Sequence, residues 1–222
     1  MFFPECAITG YNTGIMNADK SKILAAVFKI QNFARDCKIN VALPTPWANE
    51  KGVFFNSVLF ISDRGEVVRS LHKIGLQKGE ERLFVPSDSH KRVFEVKGHK
   101  IGVIICIETS HEPWAYLKKE ENADLIFWPG FYAVTEEEAG LDWSASKSGS
   151  DQKVRDNLIN HWKVPLIHVN CSSSPEAQYW PGKLFGGSSA RDHNGETIFL
   201  AKHGQEELAV LEFNDGKLKC TR

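Results

Sequence analysis

Three residue types able to do acyl chemistry stand at the ends of three apolar stretches. Cys106 closes "KIGVIIC" (100–106), Glu5 follows "FFP" (2–4), and Lys73 follows "VVRSLH" (67–72). A cysteine becomes a useful nucleophile when its thiolate is accessible and a base or cation lies near. A strand end supplies exposure, because the chain leaves the sheet there. Taken singly, each residue has an ordinary explanation. A cysteine after Val103-Ile104-Ile105 fits a core thiol, and a strand-end Glu or Lys fits a solvated surface charge. Taken together, a carboxylate, an ammonium and a thiol can cleave an acyl bond. The carboxylate removes the thiol proton, the thiolate attacks a carbonyl, and the ammonium stabilises the oxyanion.

The elements that must position these groups alternate along the chain. Lys22 to Cys37 predicts an amphipathic helix, with Ile23, Leu24, Val27, Phe28, Ile30 and Phe33 at helical spacing. "INVALPTP" (39–46) predicts a strand that its prolines stop. "NSVLFIS" (56–62) and "VVRSLHKI" (67–74) predict a hairpin about "DRG", and 92–106 predicts a second hairpin turning at Gly98. A helix is expected at 112–123, with Pro113 in its first turn. A buried strand follows at 124–130, a polar loop at 135–151 and a helix at 152–163. Further strands are expected at 164–170, 187–192, 196–202 and 207–213. The opening "MFFPE" reads as the last residues of a strand. With no repeat and no low-complexity linker, the pattern is one α/β domain over 1–222.

Bulk composition narrows the function classes. The chain has 222 residues, 42% of them hydrophobic, enough for a sizeable core. Its 27 basic and 28 acidic residues give no net attraction to nucleic acid or to a membrane surface. The longest apolar runs, such as 125–128, are too short to span a bilayer, and no secretory signal opens the chain. Five cysteines, without a CxxC pair, argue against a disulfide framework and for a reducing cytoplasm. The eight histidines lack HxH or HxxxH pairing, so no metal site is expected.

Six segments in order carry a family resemblance: "FFPECAITGY" (2–11), "HKIGL" (72–76), "GVIICIE" (102–108), "ADLIFWPG" (123–130), "PLIHVN" (165–170) and "FGGSSARDHNGE" (185–196). The chain resembles the nitrilase superfamily of carbon–nitrogen hydrolases. The resemblance implies an α-β-β-α sandwich of two mixed β-sheets flanked by helices. It implies a Glu5–Lys73–Cys106 triad: Glu5 as general base, Lys73 stabilising oxyanion and intermediate, Cys106 forming a thioester. The backbone N–H of Ile107 would complete the oxyanion hole. Many members carry a second glutamate; the pattern E-x-x-x-F-x-P selects Glu80, with Glu81 in the role if the register slips by one. Glu108 reads as structural. Trp128, Phe131 and Tyr132 either line the substrate pocket or pack in the core. Relative to the family, the strand and long helix that normally precede the Pro-Glu are missing, so the domain is expected to be N-terminally truncated.

The implied activity is hydrolysis of a non-peptide C–N bond in a small-molecule amide or carbamoyl compound, with a nitrile less favoured. No cofactor is implied. Two alternatives stand beside it: a thiol-dependent N-acyltransferase using the same triad, and an inactive pseudoenzyme. The resemblance also implies a homodimer or higher homo-oligomer, through the helix after Cys106 and the C-terminal strand.

Overall fold

The computed structural model describes residues 1–11, 19–110, 117, 121–138, 154, 156–173 and 183–222. The chain forms two compact units, Met1–Lys91 and Arg92–Arg222.

The first unit holds helix α1 (Lys20–Cys37) and strands β1 (Val41–Ala48), β2 (Phe54–Ile61) and β3 (Val67–His72) in one antiparallel sheet, ordered β1-β2-β3. α1 starts where the Asp19 side chain accepts the Ser21 N–H, and it ends at Lys38 in the left-handed conformation. Its buried stripe is Ile23, Val27 and Ala34, packed with Val41, Leu43, Leu59 and Ile61 of the sheet. Each large aliphatic side chain among them contributes roughly 1.5–3 kcal/mol on full burial. Leu24, Phe28 and Phe33, which share the helical spacing, lie on the flanks of that stripe and are exposed.

The expectation that prolines stop the first strand is corrected. β1 runs through Pro44 and Pro46 to Ala48, paired with β2 along its whole length. The reason is the side on which the missing donors fall. Ala42 donates its N–H to Met1 O at 2.9 Å, away from β2, so Pro44 and Pro46, at alternate positions, also turn their ring nitrogens away from β2. The ladder to β2 loses nothing. On the outer side the N-terminal segment makes one parallel bridge, Phe2 to Ala42, and Ala7 donates to Pro44 O at 2.9 Å.

The second unit holds β4 (Val93–Val96), β5 (His99–Val103), β6 (Leu125–Gly130), β7 (Val134–Thr135), β8 (Leu166–Asn170), β9 (Lys183–Leu184), β10 (Ser189–Arg191), β11 (Thr197–Leu200), β12 (Leu211–Asn214) and β13 (Lys217–Cys220). Six strands form a mixed sheet ordered β11-β10-β8-β6-β5-β4, with β5, β6 and β8 parallel to one another. The expected hairpin at Gly98 is β4–β5, and its second strand ends at Val103, three residues short of the expected limit. β6 also accommodates a proline. Ile126 donates towards β8, to Pro165 O, so Pro129 faces its missing donor towards β5, beyond the point where β5 has ended.

Other expectations are corrected in extent. The helix at 152–163 ends in a π-helical turn, Leu158–Trp162. Residues 207–210 are not strand; β12 instead pairs with β13, and β7 pairs with β9, neither of which was expected. The β12–β13 turn is Asp215-Gly216, both at positive φ, a hairpin signal present in the sequence. The helix expected at 112–123 and most of the loop at 135–151 lie outside the described residues. Among the described residues, no helix is long and apolar enough to cross a membrane.

The "DRG" hairpin turn gives a test of packing in the first unit. Gly65 has φ +78°, Gln31 donates its side-chain amide to Gly65 O, and a Cβ at Gly65 would stand 2.5 Å from Gln31 O. Gly65→Ala is expected to destabilise the protein by about 1–3 kcal/mol. Urea unfolding should show a lower midpoint with an unchanged slope.

Candidate active site

In the first unit, three segments deliver charged side chains to one buried place. Glu5 follows Pro4 and enters a turn in which Thr9 and Gly10 both donate to Cys6 O. Lys73 is the first residue past β3, its N–H bonded to Asn56 O at 2.7 Å. Glu80 opens a short 3₁₀ turn, Glu80–Arg82. Lys73 Nζ lies 2.9 Å from Glu5 Oε1 and 3.0 Å from Glu80 Oε1, with all three side chains buried. The Asn56 amide donates to the same two oxygens, at 2.7 and 3.3 Å. The Tyr11 hydroxyl also donates to Glu80 Oε1, and Gln77 N–H to Glu80 Oε2 at 2.5 Å. Glu81 points elsewhere: it is exposed and accepts from Gly79 N–H. The arrangement suits proton transfer. It presents a dry carboxylate whose charge is held by an ammonium, and an ammonium able to face developing negative charge.

In the second unit, Cys106 stands just past the C-terminal end of β5, as the first residue of a 3₁₀ turn, Cys106–Ser110. It is half-buried and in no disulfide. Its φ is +47°, a left-handed conformation that costs a non-glycine residue about 1–3 kcal/mol and clusters at functional sites. The surroundings hold it there. Glu108 Oε2 accepts from Ile105 N–H at 2.6 Å and from Arg92 Nη2 at 2.5 Å, while Arg92 Nε donates to Val103 O at 3.1 Å. This buried pair clamps the backbone on the approach to the cysteine. The Cys106 carbonyl accepts from Thr109 Oγ1 at 3.0 Å and from Trp128 Nε1 at 3.2 Å. Ile107 follows in the first turn, where N–H groups lack intrahelical partners.

The aromatic candidates separate by contact. Trp128 is buried in the core cluster of this unit and packs on His168 at 4.3 Å between ring centroids. Tyr132 stacks on the same imidazole at 5.2 Å, and Phe131 lies against Phe185 at 5.4 Å. His168 is fully buried, and burial is the main cause that pushes its pKa down to about 3, with Arg191 and His203 adding to the fall.

The sequence reading passed over Asn56, Tyr11, Arg92 and His168. Three had a trace: Asn56 interrupts the apolar "FFNSVLF", and Tyr11 and His168 lie in the singled-out segments "FFPECAITGY" and "PLIHVN". Arg92 had no signal beyond being a polar residue beside an apolar run.

Comparison with known proteins adds the following. The family model described as carbon-nitrogen hydrolase matches residues 1–149. N-carbamoylputrescine amidase of Solanum lycopersicum is 24% identical over 205 residues, covering 88% of this chain and 66% of that protein. The chain therefore spans slightly less than two thirds of this curated relative. A solved glutamine-dependent NAD+ synthetase from Acinetobacter baumannii superposes with a TM-score of 0.80 at 22% identity, over 100% of this chain and 40% of that one. An amidase from Nesterenkonia superposes at 0.71 and 19% identity, over 90% of this chain and 72% of that one. That structure is of a glutamate-to-glutamine mutant carrying the acetamide moiety of fluoroacetamide on its active site cysteine. These likenesses show the fold to be nitrilase-like α/β, the class expected from the resemblance.

The His168 environment makes stability pH-dependent in a defined direction. The folded pKa lies below the ordinary histidine value of 6.5, so between about 3 and 6.5 the unfolded chain binds a proton that the folded chain does not. Stability should fall as pH drops through that window, by on the order of 1.4 kcal/mol per unit from this group. Relative to wild type, His168→Gln should show a flatter loss between about pH 6.5 and 4 in urea titrations.

Proposed function

The chain belongs to the carbon–nitrogen hydrolase family, and on that premise we propose that it hydrolyses the C–N bond of a small amide or carbamoyl compound through a thioester on Cys106. The observation that carries the reading is the buried Glu5–Lys73–Glu80 cluster, with the lysine 2.9 and 3.0 Å from the two carboxylates. Burying two carboxylates and an ammonium is costly to a core, and acyl transfer uses a base and a cation.

In this reading Glu5, Lys73 and Cys106 act in one reaction. Glu5 takes the Cys106 thiol proton as sulfur attacks the carbonyl carbon. Lys73 and the Ile107 N–H stabilise the oxyanion, and Glu80 holds the lysine. The C–N bond breaks, Glu5 returns the proton to the leaving nitrogen, and ammonia or an amine departs. Water, deprotonated by Glu5, attacks the thioester. The acid leaves, and the proton held by Glu5 restores the thiol. The acetamide adduct on the cysteine of the Nesterenkonia amidase and the carbamoyl amine in the name of the Solanum relative support this substrate class. Five cysteines, none of them in a disulfide, suit a reducing cytoplasm.

The test is intact-mass analysis after incubation with short primary amides and N-carbamoyl amines. The wild type should gain the acyl mass and release ammonia, and Cys106→Ala should do neither. A wild type that never forms an adduct and never turns over ends the hydrolase reading in favour of an inactive protein. A product joined to an added amine points to acyl transfer.

The reading includes a homo-oligomer. Leu208 and Val210, next to the C-terminal hairpin, are exposed at 74% and 46%, an apolar surface that a second copy would cover. Light scattering should give at least twice the chain mass, and Leu208→Lys should lower it; a monomer at micromolar concentration counts against the assembly.

A further inference from the structure

We propose that Asn56 is the positioning residue of the Glu5 base: its side-chain amide keeps Glu5 ionised and aimed beside a second carboxylate. The inference rests on the hydrolase reading and assigns a role which that reading leaves open.

Asn56 is joined to each of the other members. Its backbone carbonyl accepts the Lys73 N–H at 2.7 Å, fixing where the ammonium's stem begins. Its side-chain nitrogen donates to Glu5 Oε1 at 2.7 Å and shares Glu80 Oε1 at 3.3 Å. These are the two oxygens that Lys73 Nζ also bridges. The amide thus repeats the lysine's contacts without its charge. Its orientation follows from the chemistry: turned over, the amide would aim a carbonyl oxygen at two carboxylates. In the orientation found, Asn56 Oδ1 is buried without a hydrogen-bond partner. A buried acceptor left unpaired is a cost, and here it accompanies a donor held on the carboxylates.

The electrostatic need is plain. Among the described residues, the titratable groups of the cluster are Glu5 in the N-terminal turn, Lys73 past β3, Glu80 in the 3₁₀ turn and the Tyr11 hydroxyl, with the buried Cys6 thiol next in chain to Glu5. Two carboxylates facing one ammonium leave a formal negative charge in excess, which works against an ionised base at Glu5. A base that is already protonated cannot accept the thiol proton. Tyr11 and Gln77 serve Glu80. Asn56 gives its shorter bond to Glu5, and a donor to the charged form favours ionisation of that residue.

The experiment uses the full chain with nitrogen-15 label and carbon-13 at the glutamate carboxyls. In wild type, the Asn56 side-chain amide protons should resonate downfield of other asparagines and move as Glu5 titrates, and Glu5→Gln should abolish that movement. Asn56→Ala and Asn56→Leu, which is neutral and of similar shape, should each raise the Glu5 midpoint by about one pH unit or more. Both should carry the acid limb of kcat/KM to higher pH and lower kcat more than they raise KM. A role in shape alone predicts that the neutral Asn56→Leu leaves the Glu5 midpoint in place, and that result overturns the proposal. So does a wild-type Asn56 amide blind to Glu5 ionisation, a measurement that stands even where both variants fail to fold. Failure of the hydrolase reading looks different: no adduct and no turnover, with the Asn56–Glu5 coupling intact.

Discussion

The first unit is organised around an ammonium group kept out of water. Stripping such an ion of its hydration costs several kcal/mol even after relaxation, and only close, well-aligned partners offset that. Lys73 Nζ finds them in Glu5 and Glu80, which arrive from opposite sides in sequence. Satisfying one charge therefore requires the N-terminal turn, the β2–β3 hairpin and the segment after it to meet at a fixed geometry. A core of leucines would tolerate several packings; this cluster tolerates one arrangement of donors and acceptors. The antiparallel sheet and α1 supply the apolar burial, and the cluster supplies the uniqueness.

The second unit uses a buried ion pair for a different end. Arg92 and Glu108 spend their remaining capacity on the backbone, at Val103 O and Ile105 N–H. β5 ends at Val103, and two residues of non-repetitive chain follow before Cys106 takes a left-handed conformation. Where the ladder ends, peptide groups need other partners to hold them. The pair meets that need, and the indole of Trp128 fixes the next carbonyl along. The nucleophile candidate is thus braced from both sides by groups that need play no part in bond making.

Much of this was legible in the residues. The helix at α1, the two hairpins, and the parallel strands β6 and β8 follow from apolar period and turn chemistry. Prolines misled the reading of β1 because sequence does not reveal which side of a strand a given N–H faces; only the pairing decides that. The C-terminal hairpin was missed although Asp215-Gly216 announced its turn, because the flanking strands are short and the second is lysine-rich. Glu5, Lys73 and Cys106 were singled out by their places at strand ends and by resemblance. The roles of Asn56 and His168 were hidden for a common reason: a polar residue inside an apolar run takes its meaning from neighbours remote in sequence, Glu5 for the one and Trp128 for the other.

The prolines of β1 also bear on how the base is carried. Pro44 and Pro46 remove the donors that would have stitched the N-terminal segment to the sheet's outer edge, so the segment is attached by isolated links such as Met1 O and Ala7 N–H. Packing of Phe3 and Ile8 against the core and the charges that meet Glu5 do what a continuous ladder does elsewhere. The cluster thus works as a clasp that adds to the apolar hold on that segment.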